Sequence, residues 1–66
     1  MQRQYVSSSN ARSVDWENNT LEVEFNNGSI YHYNNVSQTE YRSVLVGSVG
    51  SNIHRLAKIH TYTRIV

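Results

Sequence analysis

Between Thr20 and Tyr33 the chain reads TLEVEFNNGSIYHY, and few folds accommodate that stretch. Leu21, Val23 and Phe25 alternate with Glu22, Glu24 and Asn26, the period-two pattern of a strand with one buried face. Asn26, Asn27 and Gly28 then stop the strand, because Asn and Gly tolerate the positive φ of tight hairpin turns. Ser29, Ile30, Tyr31, His32 and Tyr33 return as a second run rich in strand formers, so the segment is a β-hairpin.

Two registers are open. A two-residue loop at Asn27 and Gly28 places Phe25 opposite Ile30 and puts both tyrosines on the face of Glu22 and Glu24. A three-residue loop with a glycine bulge places Val23 opposite Tyr31 and Leu21 opposite Tyr33. The second is favoured, because it gathers Leu21, Val23, Phe25, Tyr31 and Tyr33 on one face and leaves Glu22, Glu24 and His32 on the other. Ile30 is then the one misfit, and the tyrosines are core residues more than solvent-facing ones.

Upstream, residues 1–10 (MQRQYVSSSN) read as a flexible lead-in, since serine side chains compete with regular structure for backbone hydrogen bonds. A first strand is expected from Ala11 to Trp16, with Arg12, Val14 and Trp16 on one side and Val14 and Trp16 towards the core. Glu17, Asn18 and Asn19 supply turn chemistry, making the first three strands an antiparallel meander. Beyond Asn34 and Asn35, Ser37 is the N-cap of a helix with Glu40 as its capping-box partner and Val36 and Tyr41 as a hydrophobic staple. That helix should span Gln38 to about Val46, with Tyr41, Val44 and Leu45 inward and Gly47 as its stop. Either Ser48 or Ser51 caps a second helix whose Val49, Ile53, Leu56 and Ala57 share a face, turning His54, Arg55 and Lys58 away. The run IHTYTRIV from Ile59 to Val66 predicts a last strand, with its inward set undecided. The expected fold is thus one α+β domain over residues 1–66, a three-stranded antiparallel meander followed by two short helices and a C-terminal strand (βββααβ).

A chain of 66 residues buries a thin core, which makes homo-oligomerisation a natural supplement. Without cysteine it has neither disulfides nor a thiolate metal site. No apolar run suits a membrane span and no signal peptide opens the chain, so a soluble cytoplasmic protein is expected. Net charge is +1, but the signs are segregated. All five acids, Asp15, Glu17, Glu22, Glu24 and Glu40, lie within residues 1–40, whereas Arg42, Arg55, Lys58 and Arg64 follow with His54 and His60. The C-terminal third is therefore either an anion-facing surface or a set of solvated faces.

The stretches SSNARSV (Ser8 to Val14) and LEVEFNNG (Leu21 to Gly28), with Tyr31-x-Tyr33 and Val36 beyond, resemble the KTSC domain. This short module occurs alone in bacterial and phage proteins and at the C-terminus of some lysyl-tRNA synthetases. The resemblance covers most of the chain and is closer in the first half. In the second half Gly50 and Ser51 replace an aromatic pair, and His60, Thr61 and Tyr62 replace an aromatic-x-aromatic. Asn52, Ile53, Arg55, Lys58, Tyr62 and Arg64 remain of the basic, aromatic C-terminal segment. The synthetase context implies RNA binding.

For catalysis, His32, His54 and His60 are the obvious bases and Asp15 is the one aspartate; His54 and His60 lack zinc-motif spacing, and no enzyme activity, metal or cofactor is expected. Tyrosine rings stack on bases while Arg and Lys reach phosphate, so the candidate contacts are Tyr31, His32, Tyr33, His54, Arg55, Lys58, Tyr62 and Arg64. Low net charge disfavours long duplexes. The leading expectation is a non-catalytic binder of a nucleotide or short single-stranded RNA. In a free-standing phage copy, its role would be to sequester a cyclic or linear nucleotide signal of host defence. An RNA-binding accessory domain and a protein-interaction module are the alternatives.

Overall fold

In the computed structural model, which describes residues 3–6 and 10–66, alternation along the chain produces one five-stranded antiparallel sheet. Its strands are β1 (Gln4–Tyr5), β2 (Ala11–Glu17), β3 (Thr20–Phe25), β4 (Ile30–Tyr33) and β5 (Tyr62–Arg64), each hydrogen-bonded to the next. Helices α1 (Gln38–Val44) and α2 (Val49–Leu56) stand between β4 and β5 in sequence, giving the α+β order βββββ interrupted once by αα. No described helix is long and apolar enough to cross a membrane.

The central hairpin adopts the three-residue loop. Leu21 pairs with Tyr33 and Val23 with Tyr31, while Phe25 and Ser29 close the loop through an N–H···O bond of 2.8 Å. Gly28 sits at φ 91° and donates to the Phe25 carbonyl, as a glycine bulge requires. The β2–β3 turn is tighter: Asn18 and Asn19 both have positive φ between the paired Glu17 and Thr20, the conformation that selects asparagine in two-residue hairpins.

Four expectations are corrected. The lead-in contributes β1, so the sheet has one strand more than predicted. Arg3 anchors it by donating to Ser13 Oγ at 2.7 Å and pairing with Glu22, long-range bonds that local serine content does not reveal. Met1, Gln2 and residues 7–9 of the lead-in lie outside the described residues. Arg12 does not alternate with Val14 and Trp16: a β-bulge between Ala11 and Ser13 inserts one residue, which exposes Arg12 and buries both neighbours. Helix α1 stops at Val44 rather than Val46, because the Leu45 and Val46 N–H groups tighten onto Arg42 and Ser43 carbonyls three residues back. The last strand shrinks to Tyr62–Arg64, with Ile59 and His60 spent in the turn whose N–H groups bond to Leu56.

One face of the sheet carries the core. Ala11, Val14, Leu21, Val23 and Tyr33 meet Val36, Tyr41 and Val44 from the α1 side and Val49, Ile53 and Leu56 from α2, all buried. Trp16 stacks on Tyr41 with ring centroids 6.2 Å apart and donates its indole N–H to the Val36 carbonyl at 2.7 Å. Both halves of the capping box form: Ser37 Oγ accepts from the Glu40 N–H and Glu40 Oε1 accepts from the Ser37 N–H, each at 3.1 Å. Ser48 is the N-cap of α2, although its hydroxyl turns to Ser51 Oγ rather than to the helix backbone.

Candidate functional site

The register of β5 decides what the tyrosines do. Tyr62 pairs with Tyr33 and Arg64 with Tyr31, so both side chains of β5 fall on the same face as the β4 tyrosines. The three rings converge: Tyr31 to Tyr33 is 6.4 Å between centroids, Tyr31 to Tyr62 is 5.7 Å and Tyr33 to Tyr62 is 5.5 Å. Phe25 and Tyr31 form a T-shaped pair with centroids 5.5 Å apart and planes at 88°. These separations are those of favourable aromatic pairs.

The rings form a graded surface: Tyr33 is buried, Tyr31 half-buried and Tyr62 52% exposed. They line an open cleft of about 300 Å³ with Phe25, Asn27, Ser29 and Ala57. Its volume stands at the lower end of the range for small-molecule sites. Burial first, then the phenols of Tyr31 and Tyr62, pushes the Tyr33 hydroxyl up to about 12, so this group stays neutral and keeps its proton to donate. Arg64 supplies the cation at this end of the sheet. Its Nε donates to the Val66 carbonyl at 3.0 Å and one terminal nitrogen donates to Ser29 Oγ at 3.3 Å, which uses two of its five N–H groups.

The other predicted contacts lie elsewhere. His32 points to the opposite sheet face, where Nε2 meets Glu22 Oε1 at 2.8 Å. That face is a charged network: Ser13, fully buried, accepts from Arg3 and donates to Glu24 at 3.0 Å, and Arg12 lies 3.9 Å from Glu24. His54 and Arg55 project from the exposed side of α2 into a separate groove with Asn10, Ser48, Gly50 and Ser51. Lys58 is exposed in the turn after α2. Among the eight candidates, Tyr31, Tyr33, Tyr62 and Arg64 therefore share one place.

Sequence reasoning missed Asn52 as an organiser. Its Nδ2 approaches the Ser43, Val44 and Val46 carbonyls at 3.3, 3.1 and 2.7 Å, closing the C-terminal end of α1, while its Oδ1 accepts from Arg55 at 2.6 Å. Phe25 was legible from its alternation with Val23 as a residue of the core face, but not as a wall of the cleft, which it lines. No group of three or more metal-ligating side chains occurs among the described residues.

A five-stranded antiparallel sheet with two short helices on one face and an aromatic cleft at its β4–β5 end defines a small α+β module. The profile of the KTSC domain matches residues 7–55, most of the chain, and the protein belongs to that family. The match takes in Tyr31 and Tyr33 and stops before Ala57, Tyr62 and Arg64, so the outer ring of the cleft and the arginine beside it lie beyond it. Comparison with curated proteins returns no match.

Proposed function

We propose that this protein is a non-catalytic binding module that holds a nucleotide-type ligand in the tyrosine cleft. The observation that carries the reading is the convergence of Tyr31, Tyr33 and Tyr62 beside Arg64. Tyr62, the most exposed ring, stacks on the base; Tyr31 forms the wall; the neutral Tyr33 hydroxyl offers a hydrogen bond; Arg64 takes the phosphate. One cation and a cleft of this size suit a single nucleotide unit, free or as part of a short strand. The cleft's hydroxyls, Ser29 and the tyrosines, have no histidine, carboxylate or lysine beside them in the lining to activate them, which favours a ligand that is held rather than turned over, as sequestration of a nucleotide signal by a phage-borne copy would need.

The test is thermal unfolding of the purified protein against AMP, GMP, cyclic dinucleotides, ADP-ribose and short RNA oligomers, since a ligand bound only by the folded state raises Tm. A small nucleotide should raise Tm, and Tyr62→Ala should weaken its affinity roughly 5- to 150-fold, the equivalent of a stacking contact worth about 1–3 kcal/mol. Arg64→Ala should weaken it as well, whereas Arg55→Ala should not. A shift with RNA alone would favour the accessory-domain reading. No shift with any of them would sink the nucleotide reading and point to a protein partner.

A further inference from the structure

Just ahead of β5, the ring of His60 ties three parts of the chain together. Its Nδ1 lies 2.9 Å from the Asn34 carbonyl oxygen at the end of β4, and its Nε2 lies 2.6 Å from Glu40 Oε2 on α1. The side chain is only 11% exposed. Both neighbours are acceptors. A carbonyl has no hydrogen to give, and the other Glu40 oxygen already accepts from the Ser37 N–H in the capping box. Neutral imidazole carries one N–H and would turn a lone pair on one of these oxygens; imidazolium donates to both.

Asn34 in turn grips the start of β5. Its N–H donates to the Thr61 carbonyl at 2.9 Å and its side-chain amide donates to Thr61 Oγ1 at 3.2 Å. Thr61 stands between His60 and Tyr62, so the ring fixes the backbone from which the outer wall of the cleft projects.

We infer that His60, as an imidazolium bridging Asn34 and Glu40, is the positioning residue that holds β5 on β4 and keeps Tyr62 seated against Tyr31 and Tyr33. For ligand binding the inference rests on the cleft being the site; for the seating of β5 it does not. The charged groups around the bridge are Glu40 on α1, Arg55 of α2 across a groove that it shares with Glu40, and the exposed Lys58 in the turn before His60. Arg55 is bonded to Asn52 Oδ1. His32, the other paired histidine, acts with Glu22 on the opposite sheet face.

Amide protection at Asn34 and Ile65, whose N–H groups bond to Thr61 and Ile30, reads the attachment of β5 directly by NMR hydrogen exchange. In the native protein, protection at these two amides should fall severalfold as pH rises from about 5 to about 8. The fall should vanish in His60→Gln and persist in His32→Gln. Protection that does not change with pH in the native protein, or the same fall in His60→Gln, would overturn the inference. Imidazole ¹⁵N shifts of the native protein cover the case in which His60→Gln fails to fold. Two protonated nitrogens at the pH where β5 is protected support the bridge, and one bare nitrogen there contradicts it. With AMP as probe, affinity should weaken over the same pH range. Absence of AMP binding alongside an intact protection profile would remove the nucleotide reading and leave the seating of β5 by His60 standing.

Discussion

Asn52 shows how much one polar side chain can hold in a domain this small. At the end of α1 the Ser43 carbonyl keeps only the Val46 N–H, and the Val44 and Val46 carbonyls have no continuing helix to satisfy them; a single amide group from α2 approaches all three. Asn52→Ala should therefore cost about 1–3 kcal/mol. For a domain of this length, that lowers Tm by roughly 4–8 °C for each kcal/mol lost. Calorimetry or circular-dichroism melting reads it directly, and a change below about 0.5 kcal/mol, the level of an ordinary surface substitution, would mean that water serves those carbonyls equally well. Asparagine on the polar side of a helix gives no signal of this role, because it depends on where the preceding helix ends. The tyrosines illustrate the opposite case. Tyr31 and Tyr33 were legible as one-sided from alternation alone, whereas Tyr62 joined the cleft, with Arg64 beside it, only once β5 chose its register against β4.

The elements differ in how openly the chain announces them. The β3–β4 hairpin is legible because a slip of one residue would scatter five apolar side chains over two faces. Helix α1 is legible because its start is a local device. Ser37→Ala should cost about 1 kcal/mol, the usual worth of a capping hydroxyl. Hydrogen bonds from His60, then from the Ser37 backbone, hold the Glu40 carboxyl below its ordinary value. A carboxylate favoured in this way stabilises the fold above its unfolded pKa and ceases to do so as pH falls through its lowered folded value. Acid unfolding curves below about pH 4 should accordingly separate the native protein from Glu40→Gln least, and the two should diverge as pH rises above that range. A constant difference at every pH would contradict this role. Strand β1 and the bulge at Arg12 were not legible: the first depends on Arg3 reaching Ser13 and Glu22 across the sheet, and the second is a one-residue insertion that leaves composition unchanged.

At the scale of the molecule, the sheet separates two chemistries. The helix-covered face holds the core and opens at its β4–β5 end into the aromatic cleft, while the opposite face carries Glu22, Glu24 and His32 knitted to Arg3 and Ser13. The basic C-terminal third, one block in the sequence, is divided in space: Arg64 stands at the cleft, and His54 and Arg55 flank the groove beside α2. Charge counting along the chain could not foresee that division: helical spacing turned His54 and Arg55 away from the sheet, but only the register of β5 brought Arg64 to the tyrosines. The most direct test of the cleft as the ligand site is ¹H–¹⁵N and aromatic chemical-shift mapping during titration with AMP. Perturbations concentrated at Phe25, Ser29, Tyr31, Tyr33, Tyr62 and Arg64 are the predicted result. Perturbations centred on Ser48, Ser51, His54 and Arg55, with the tyrosine rings unmoved, would contradict it.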